Sequence, residues 1–483
     1  MVNLQNKDKE ISNARQERNE HGADWESKEK TYLRSILDND AQLIINTSKD
    51  LLPCPKVPSM LRNNERSKDY YDPKFVSFGP YHHGKDELQA TQKIKTKVMR
   101  NFILDHGKTI EDLYIKVRLL NDQARRCYVD GSTNSYSDEA FALMMLQDSC
   151  FILFLIEWRR FIFQENKEWL TSRNDEIISM IVNQLGVLEL TVLLNRDLLL
   201  LENQIPFLVL KVLMRNIYEE NEGLTMIKSF LNWIQWGNFQ KIDTQENDKE
   251  EPLHLLGLLK TQISKVGDHV ETMTETVGMD TDITHYLQSF GSVSDLQVKG
   301  INFKPSYSIY LHSAKNQKPK SISIRDVEFR SGFFSGELKL PPLMFSSNLL
   351  VYYRNLIAFE RYACIESSFT SYINFMNSLI ASPEDVKVLR SKRIILHILS
   401  SDKEVFKMMK EISVTSWQGD LSIYQGVREG IEKHYNNKIK IWIAEARHKY
   451  FSQPWSLIGL LAAVVVIILT FMQTFYTINP RKS

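Results

Sequence analysis

The residues best placed to do chemistry lie in Gly79-Pro-Tyr-His-His-Gly84-Lys85-Asp86. The run nearly spells a phosphate-binding loop, set between the strand-like Phe75–Phe78 and a helical stretch. Such a loop needs free backbone donors, a lysine on the terminal phosphates and a hydroxyl on magnesium. Here Pro80 removes a donor, two imidazoles crowd the loop, and Asp86 puts an anion where the hydroxyl belongs. The sequence predicts a structural turn and no cofactor. His82 and His83, with Glu87 one helical turn beyond His83, raise a metal reading. Adjacent side chains diverge, however, and zinc needs three or four converging ligands. No further His/Cys cluster is apparent along the chain, so no metal ligand is assigned and the imidazoles are expected to hydrogen-bond the turn.

Glu202 follows four leucines, and Glu360 follows an apolar run in a helical stretch that also holds Arg354. Paired carboxylates can act as acid and base in hydrolysis. Carboxylates are seldom fully buried without a partner. The favoured expectation is therefore structural: each pairs with Arg354 or caps the helix that starts at Pro206. Cys150 lies in an apolar helical run, where a thiol is inert packing. There is no Gly-x-Ser-x-Gly elbow. No catalytic residue is assigned. A membrane-tethered, hydrolase-like enzyme using the carboxylates or the His82–His83 turn is the alternative.

The 483 residues carry 60 Lys+Arg against 59 Asp+Glu, a net charge of +1. That balance, without a sustained basic face, removes the electrostatic case for nucleic acid. A 43% hydrophobic share is enough to build a core, which excludes wholesale disorder. Cys54, Cys127, Cys150 and Cys364 are widely spaced, which fits neither a disulfide framework nor a cysteine-based zinc site.

No charge stands between Lys449 and Arg481, and Leu457–Met472 is almost wholly apolar. About 20 such residues span a hydrocarbon core of roughly 30 Å. Trp455 and Phe475-Tyr476 flank the run where aromatic rings favour the headgroup layer. A single C-terminal transmembrane helix, 455–478, is the expectation, with the plasma membrane favoured. Lys438, Lys440, Arg447 and Lys449 before it lean the N-terminal bulk towards the cytoplasm. Met1–Lys30 has no apolar stretch of the secretory kind. The sequon Asn46-Thr47-Ser48 would be used only if that side entered the lumen. Two other apolar stretches are expected to be buried helices. Phe141–Trp158 holds Gln147, Asp148 and Ser149 at its centre, and Leu185–Leu213 holds Glu189, Arg196, Asp197 and Glu202.

The elements that must position these residues follow from pattern. Residues 1–48 read as a variable appendage, with one amphipathic helix over Trp25–Ile45. Pro53, Pro55 and Pro58 enforce an extended entry into a helical domain over 49–449. Helices are predicted from Lys85, after an N-cap at Ser137, over Leu185–Leu194, Pro206–Tyr218, Leu349–Ser378, Glu384–Leu389, Ser401–Ile412 and Asp420–Lys449. Asp243–Glu251 and residues 261–291 read as surface segments. Near 294–343, alternation in Ser321–Phe329 and Glu337–Leu340 predicts a hairpin or small antiparallel sheet. The fold class expected is mainly α: a large helical domain with a small antiparallel β insertion and one C-terminal transmembrane helix.

Several segments together resemble a plant family catalogued as domain of unknown function 247. They are Val57-Pro58-x-x-Leu61-Arg62, Tyr71-x-Pro73-x-x-Val76-Ser77-x-Gly79-Pro80-Tyr81-His82-His83-Gly84 and Asp148-x-Cys150-Phe151-Ile152. Asp197–Phe207, Arg354–Glu360 and Tyr450-Phe451-x-x-Pro454-Trp455 complete the set. The order and extent, about residues 50 to 478, make the match specific, although Phe78 stands where the family commonly has Ile. The resemblance implies a plant protein with a helical domain and a C-terminal membrane anchor, and no established activity. Some grass members are implicated in self-incompatibility recognition. Together these features predict a membrane-anchored interaction or recognition module with an unidentified protein partner.

Overall fold

A computed structural model describes residues 53–62, 67–163, 195–236, 251–264, 291–306, 323–332, 335–363, 367–413, 419–436 and 454–478. The expected Trp25–Ile45 helix, the Asn46 sequon and the Leu185–Leu194 helix lie outside these residues.

After α1 (Ser67–Tyr71), an irregular segment leads into α2 (Gln89–Asp105), which buries Ile94, Val98 and Phe102. Helix α3 (Ile110–Arg118) starts at Thr109, whose side chain accepts from the Asp112 N–H. The short α4 (Asn121–Arg126) precedes Ser137, whose Oγ accepts from the Ala140 N–H at 3.2 Å and opens α5 (Asp138–Phe163). Apolar residues occupy most sides of α5, as a helix enclosed by neighbours requires. It packs against α2, α3, α6 (Phe207–Ile217) and α7 (Glu222–Trp236).

The C-terminal half adds α8 (Leu255–Ser264), α9 (Val293–Val298) and the strands β1 (Ile301–Pro305), β2 (Glu328–Ser331), β3 (Gly336–Leu340) and β4 (Leu343–Phe345). Helices α10 (Ser347–Ala363), α11 (Ser368–Leu379) and α12 (Pro383–Ser391) follow, then β5 (Ile395–His397), α13 (Asp402–Ser413), α14 (Gln425–Tyr435) and α15 (Pro454–Ile478). A continuous apolar core links residues from Cys54 to Ile431.

The fold differs from the expected class in two respects. First, the β region is mixed. Strands β2 and β3 are antiparallel, with Phe329 opposite Leu338, but β1 joins β3 in parallel and β4 joins β5 in parallel. Parallel partners arrive from distant sequence and leave no local turn signal. Second, the C-terminal transmembrane helix is corrected. Among the described residues, the helix long and apolar enough to cross a bilayer is Asp138–Arg160, and 83% of its apolar window is buried in the protein. The C-terminal apolar run with described side chains, Ala462–Phe475, has 14 residues. At ~1.5 Å per residue that is about 21 Å, short of a hydrocarbon core of roughly 30 Å.

The predicted helix Leu349–Ser378 is also two helices, α10 and α11. Glu360 near the end of α10 accepts from the N–H groups of Phe369 and Thr370, at 3.0 and 2.9 Å, at the start of α11. A carboxylate there satisfies donors that a helix N-terminus leaves open.

Leu153 is fully buried at the centre of α5. Leu153→Ala is expected to cost about 2–5 kcal/mol of unfolding free energy through lost burial and a residual cavity. Urea unfolding of the folded chain measures it, and a loss below about 1 kcal/mol would mean that α5 is not a core helix.

Candidate functional site

The resembling segments between Val57 and Glu360 meet around one loop, residues 72–88. Its extended part, Lys74–Gly79, forms no strand; side chains accept from the N–H groups of Lys74, Phe75, Val76, Phe78 and Gly79 instead. The buried carboxylate of Asp197 accepts from the N–H groups of Lys74, Phe75 and Val76, the last two at 2.7 and 3.0 Å. Asn203 accepts from the Phe78 N–H at 2.7 Å and donates to the carbonyls of Val76 and Asp197. Asp148, from the middle of α5, accepts from the Gly79 N–H at 2.8 Å and from Lys95 Nζ at 2.5 Å. Lys95 also donates to the Ser77 carbonyl, and both members of this ion pair are completely buried.

Gly79 is required at its position. Its φ is +70°, and a Cβ there would lie 2.8 Å from both the Gln204 carbonyl oxygen and the Tyr128 hydroxyl. Gln204 in turn donates to the carbonyls of Leu198 and Leu200. Asn355 of α10 accepts from the Leu201 N–H and donates to the Tyr70 carbonyl, tying the C-terminal half to the same centre. Desolvation pushes the Asp197 carboxyl upwards, and the Arg196 charge and three backbone donors oppose it.

In the near P-loop, the groups that would face a phosphate already face carboxylates of the protein itself. The Gly79 N–H already faces the protein's own anion, Asp148, and Lys85 lies 3.9 Å from Asp72. Cys54, Cys127 and Cys150 are buried free thiols, and burial pushes Cys127 up to about 12, so it stays protonated.

The carboxylates singled out in the sequence separate into different surroundings. Glu360 is occupied by Phe369 and Thr370. Arg354 pairs with neither Glu360 nor Glu202; it donates to the Glu411 carbonyl at 2.9 Å and lies over the Tyr70 ring. Glu202 joins Arg62 and His82. Its Oε1 accepts from the Val57 N–H at 2.7 Å, and its Oε2 from Arg62 Nη2 at 2.5 Å. Arg62 also donates through Nη1 to Asp72 at 2.8 Å. An apolar hollow lined by Leu259, Ile263, Pro341, Tyr352 and Phe369 includes none of these groups.

His82 differs from the sequence expectation: neither ring nitrogen hydrogen-bonds the turn. The side chain is 5% exposed, with Nε2 3.7 Å from Glu202 Oε2. Burial, aided by Lys85, lowers its pKa to about 4, so it is neutral at pH 7. The potential ligand atoms of Asp72, His82 and Glu202 all lie within 4.8 Å of one another. The grouping carries no local sequence signal, because Asp72 stands at the start of the loop, away from the histidine pair, and Glu202 comes from after α5. His83 instead stacks edge-on against Tyr136. Burial pushes Asp72 upwards, but the Arg62 hydrogen bond and charge outweigh it and hold the carboxyl low.

Comparison with known proteins follows the same residues. A sequence model of DUF247, described as plant proteins of unknown function, matches residues 54–469. The chain belongs to that family. It is 28% identical to the UPF0481 protein At3g47200 of Arabidopsis thaliana, over 94% of this chain and 92% of that protein. A second UPF0481 protein of the same plant, At3g02645, is 23% identical over 84% of this chain and 87% of its own. No solved structure matches the chain. The DUF247 match covers every segment that builds the clamp around residues 72–88.

Lys95→Met leaves Asp148 buried without its cation, and a loss of about 3–5 kcal/mol is expected. The double variant Lys95→Met/Asp148→Asn is expected to lose less, because the introduced amide is uncharged and its carbonyl oxygen still accepts from the Gly79 N–H. A double variant no more stable than Lys95→Met would refute the pairing. Glu202→Gln is likewise expected to lower the melting temperature by weakening the Arg62 fork; an unchanged melting curve would contradict that role.

Proposed function

We propose that this DUF247 protein is a membrane-attached interaction module, with its folded body presented to a protein partner and the apolar helix α15 seated in lipid. The observation that carries this reading is the exposure of α15. Val466, Ile467, Leu469, Phe471, Met472 and Ile478 are each more than half exposed. A contiguous apolar surface of this kind is out of place in water and belongs against lipid or protein. Lys438, Lys440, Arg447 and Lys449 lie just before it in sequence. Each is suited to an anionic leaflet such as the cytoplasmic face of the plasma membrane, where a basic residue contributes about 1 kcal/mol.

The interaction half of the reading rests on what the polar groups do. Asp148, Asp197, Asn203 and Glu360 are buried and engaged in holding backbone. Buried groups so engaged support a scaffold that presents a surface rather than a hydrolytic acid–base pair.

Fractionation of plant cells expressing the full chain tests attachment. The protein is expected in the membrane pellet after high-salt washing and to become soluble when residues 454–478 are deleted. Full-length protein in the detergent-free supernatant would overturn the proposal. Gentle detergent extraction from native tissue is expected to yield a particle larger than the detergent-bound monomer, and a bare monomer would overturn the partner half.

A further inference from the structure

We propose that Asp72, His82 and Glu202 form a latent site for a divalent first-row transition ion of the zinc class, closed by the guanidinium of Arg62. The inference does not depend on membrane attachment. Zinc takes mixed nitrogen and oxygen ligands at about 2.0–2.2 Å. Two ligands of a tetrahedral ion at those lengths stand about 3.4 Å apart. His82 Nε2 and Glu202 Oε2 stand 3.7 Å apart, and all three ligand atoms fall within 4.8 Å. Small side-chain movements would converge them. The set supplies one imidazole and two carboxylates, leaving a fourth position open, as zinc sites with three protein ligands do.

His82 itself points to a ligand. It is nearly fully buried, and both ring nitrogens lack a hydrogen-bond partner among the described residues. Leaving a buried polar group without a partner is unfavourable, so an incoming ligand atom or ion is favoured there. Its Nε2 faces the same carboxylate oxygen that Arg62 holds.

Arg62 occupies the cation's electrostatic place. It bridges Asp72 and Glu202 with contacts of 2.8 and 2.5 Å, while its side chain is 26% exposed. A side chain at that depth can swing outwards, handing two carboxylates to an incoming dication. Lys85, 3.9 Å from Asp72, and Lys56, which acts on His82, add positive charge at the rim. With an imidazole among its three donors, the site is expected to be selective for ions that bind imidazole well over magnesium or calcium, which prefer all-oxygen shells.

Metal-stripped full chain in detergent, titrated with zinc chloride by equilibrium dialysis, provides the test. One tightly bound ion per chain is expected. His82→Asn is expected to weaken binding at least tenfold, and Arg62→Gln to tighten it at least tenfold. The wild-type protein loaded with cobalt(II) is an independent readout. An intense visible spectrum of a four- or five-coordinate ion is expected. Absence of stoichiometric zinc, binding unchanged in His82→Asn, or a weak six-coordinate cobalt spectrum would each overturn the site.

Discussion

A chain that buries an extended segment without pairing it in a sheet must find acceptors for each of its N–H groups, since an orphaned donor is costly. In this protein the rest of the structure depends on how that is done for Lys74–Gly79. Asp197 and Asn203 from one segment and Asp148 from α5 accept the N–H groups of Lys74, Phe75, Val76, Phe78 and Gly79. The charges involved are buried, and each is compensated: Asp148 by Lys95 and Asp197 by Arg196 at 2.7 Å. Satisfied buried networks of this kind specify one arrangement, because any slip leaves a charge or donor unpaired.

The clamp also organises what surrounds it. Holding the loop against α5 lets the Tyr81 hydroxyl donate to the Cys54 carbonyl and accept from the Val129 N–H, closing the N-terminal entry. Asn355 carries the same connectivity into α10, whose Glu360 then holds the start of α11. His82 and Asp72 sit on the outer side of the clamped loop, and Glu202 and Arg62 complete the cluster there. The most constrained part of the fold thus borders a patch where side chains retain room to move, since Arg62 and Asp72 are each about a quarter exposed.

Much of the local structure was legible in the residues. Ser137 and the apolar run after it announced α5, and Pro206 announced the start of α6, because caps and periodicity act over a single helical turn. Leu349–Ser378 read as one helix because its pattern is continuous, whereas Glu360 of α10 accepts from the first N–H groups of a separate helix, α11. The parallel pairings of β1 with β3 and β4 with β5 were invisible, since strands joined through long connections carry no hairpin signal. The same limitation applied to the site: His82 and His83 looked like an incomplete ligand set because adjacent side chains diverge, and the completing carboxylates lie outside the histidine turn, Glu202 far along the sequence.

Sequence alone determined the chemical character of this protein: balanced charge, helices placed by caps and spacing, an apolar C-terminus, and ordered motifs that mark a plant family. Those properties depend on composition and short-range order. Tertiary structure decided which apolar helix lies inside the protein, which carboxylate meets which cation, and that Asp72, His82 and Glu202 share one location. Burial and partnership are relations between residues distant along the chain, and only the closed fold brings such residues within a few ångströms.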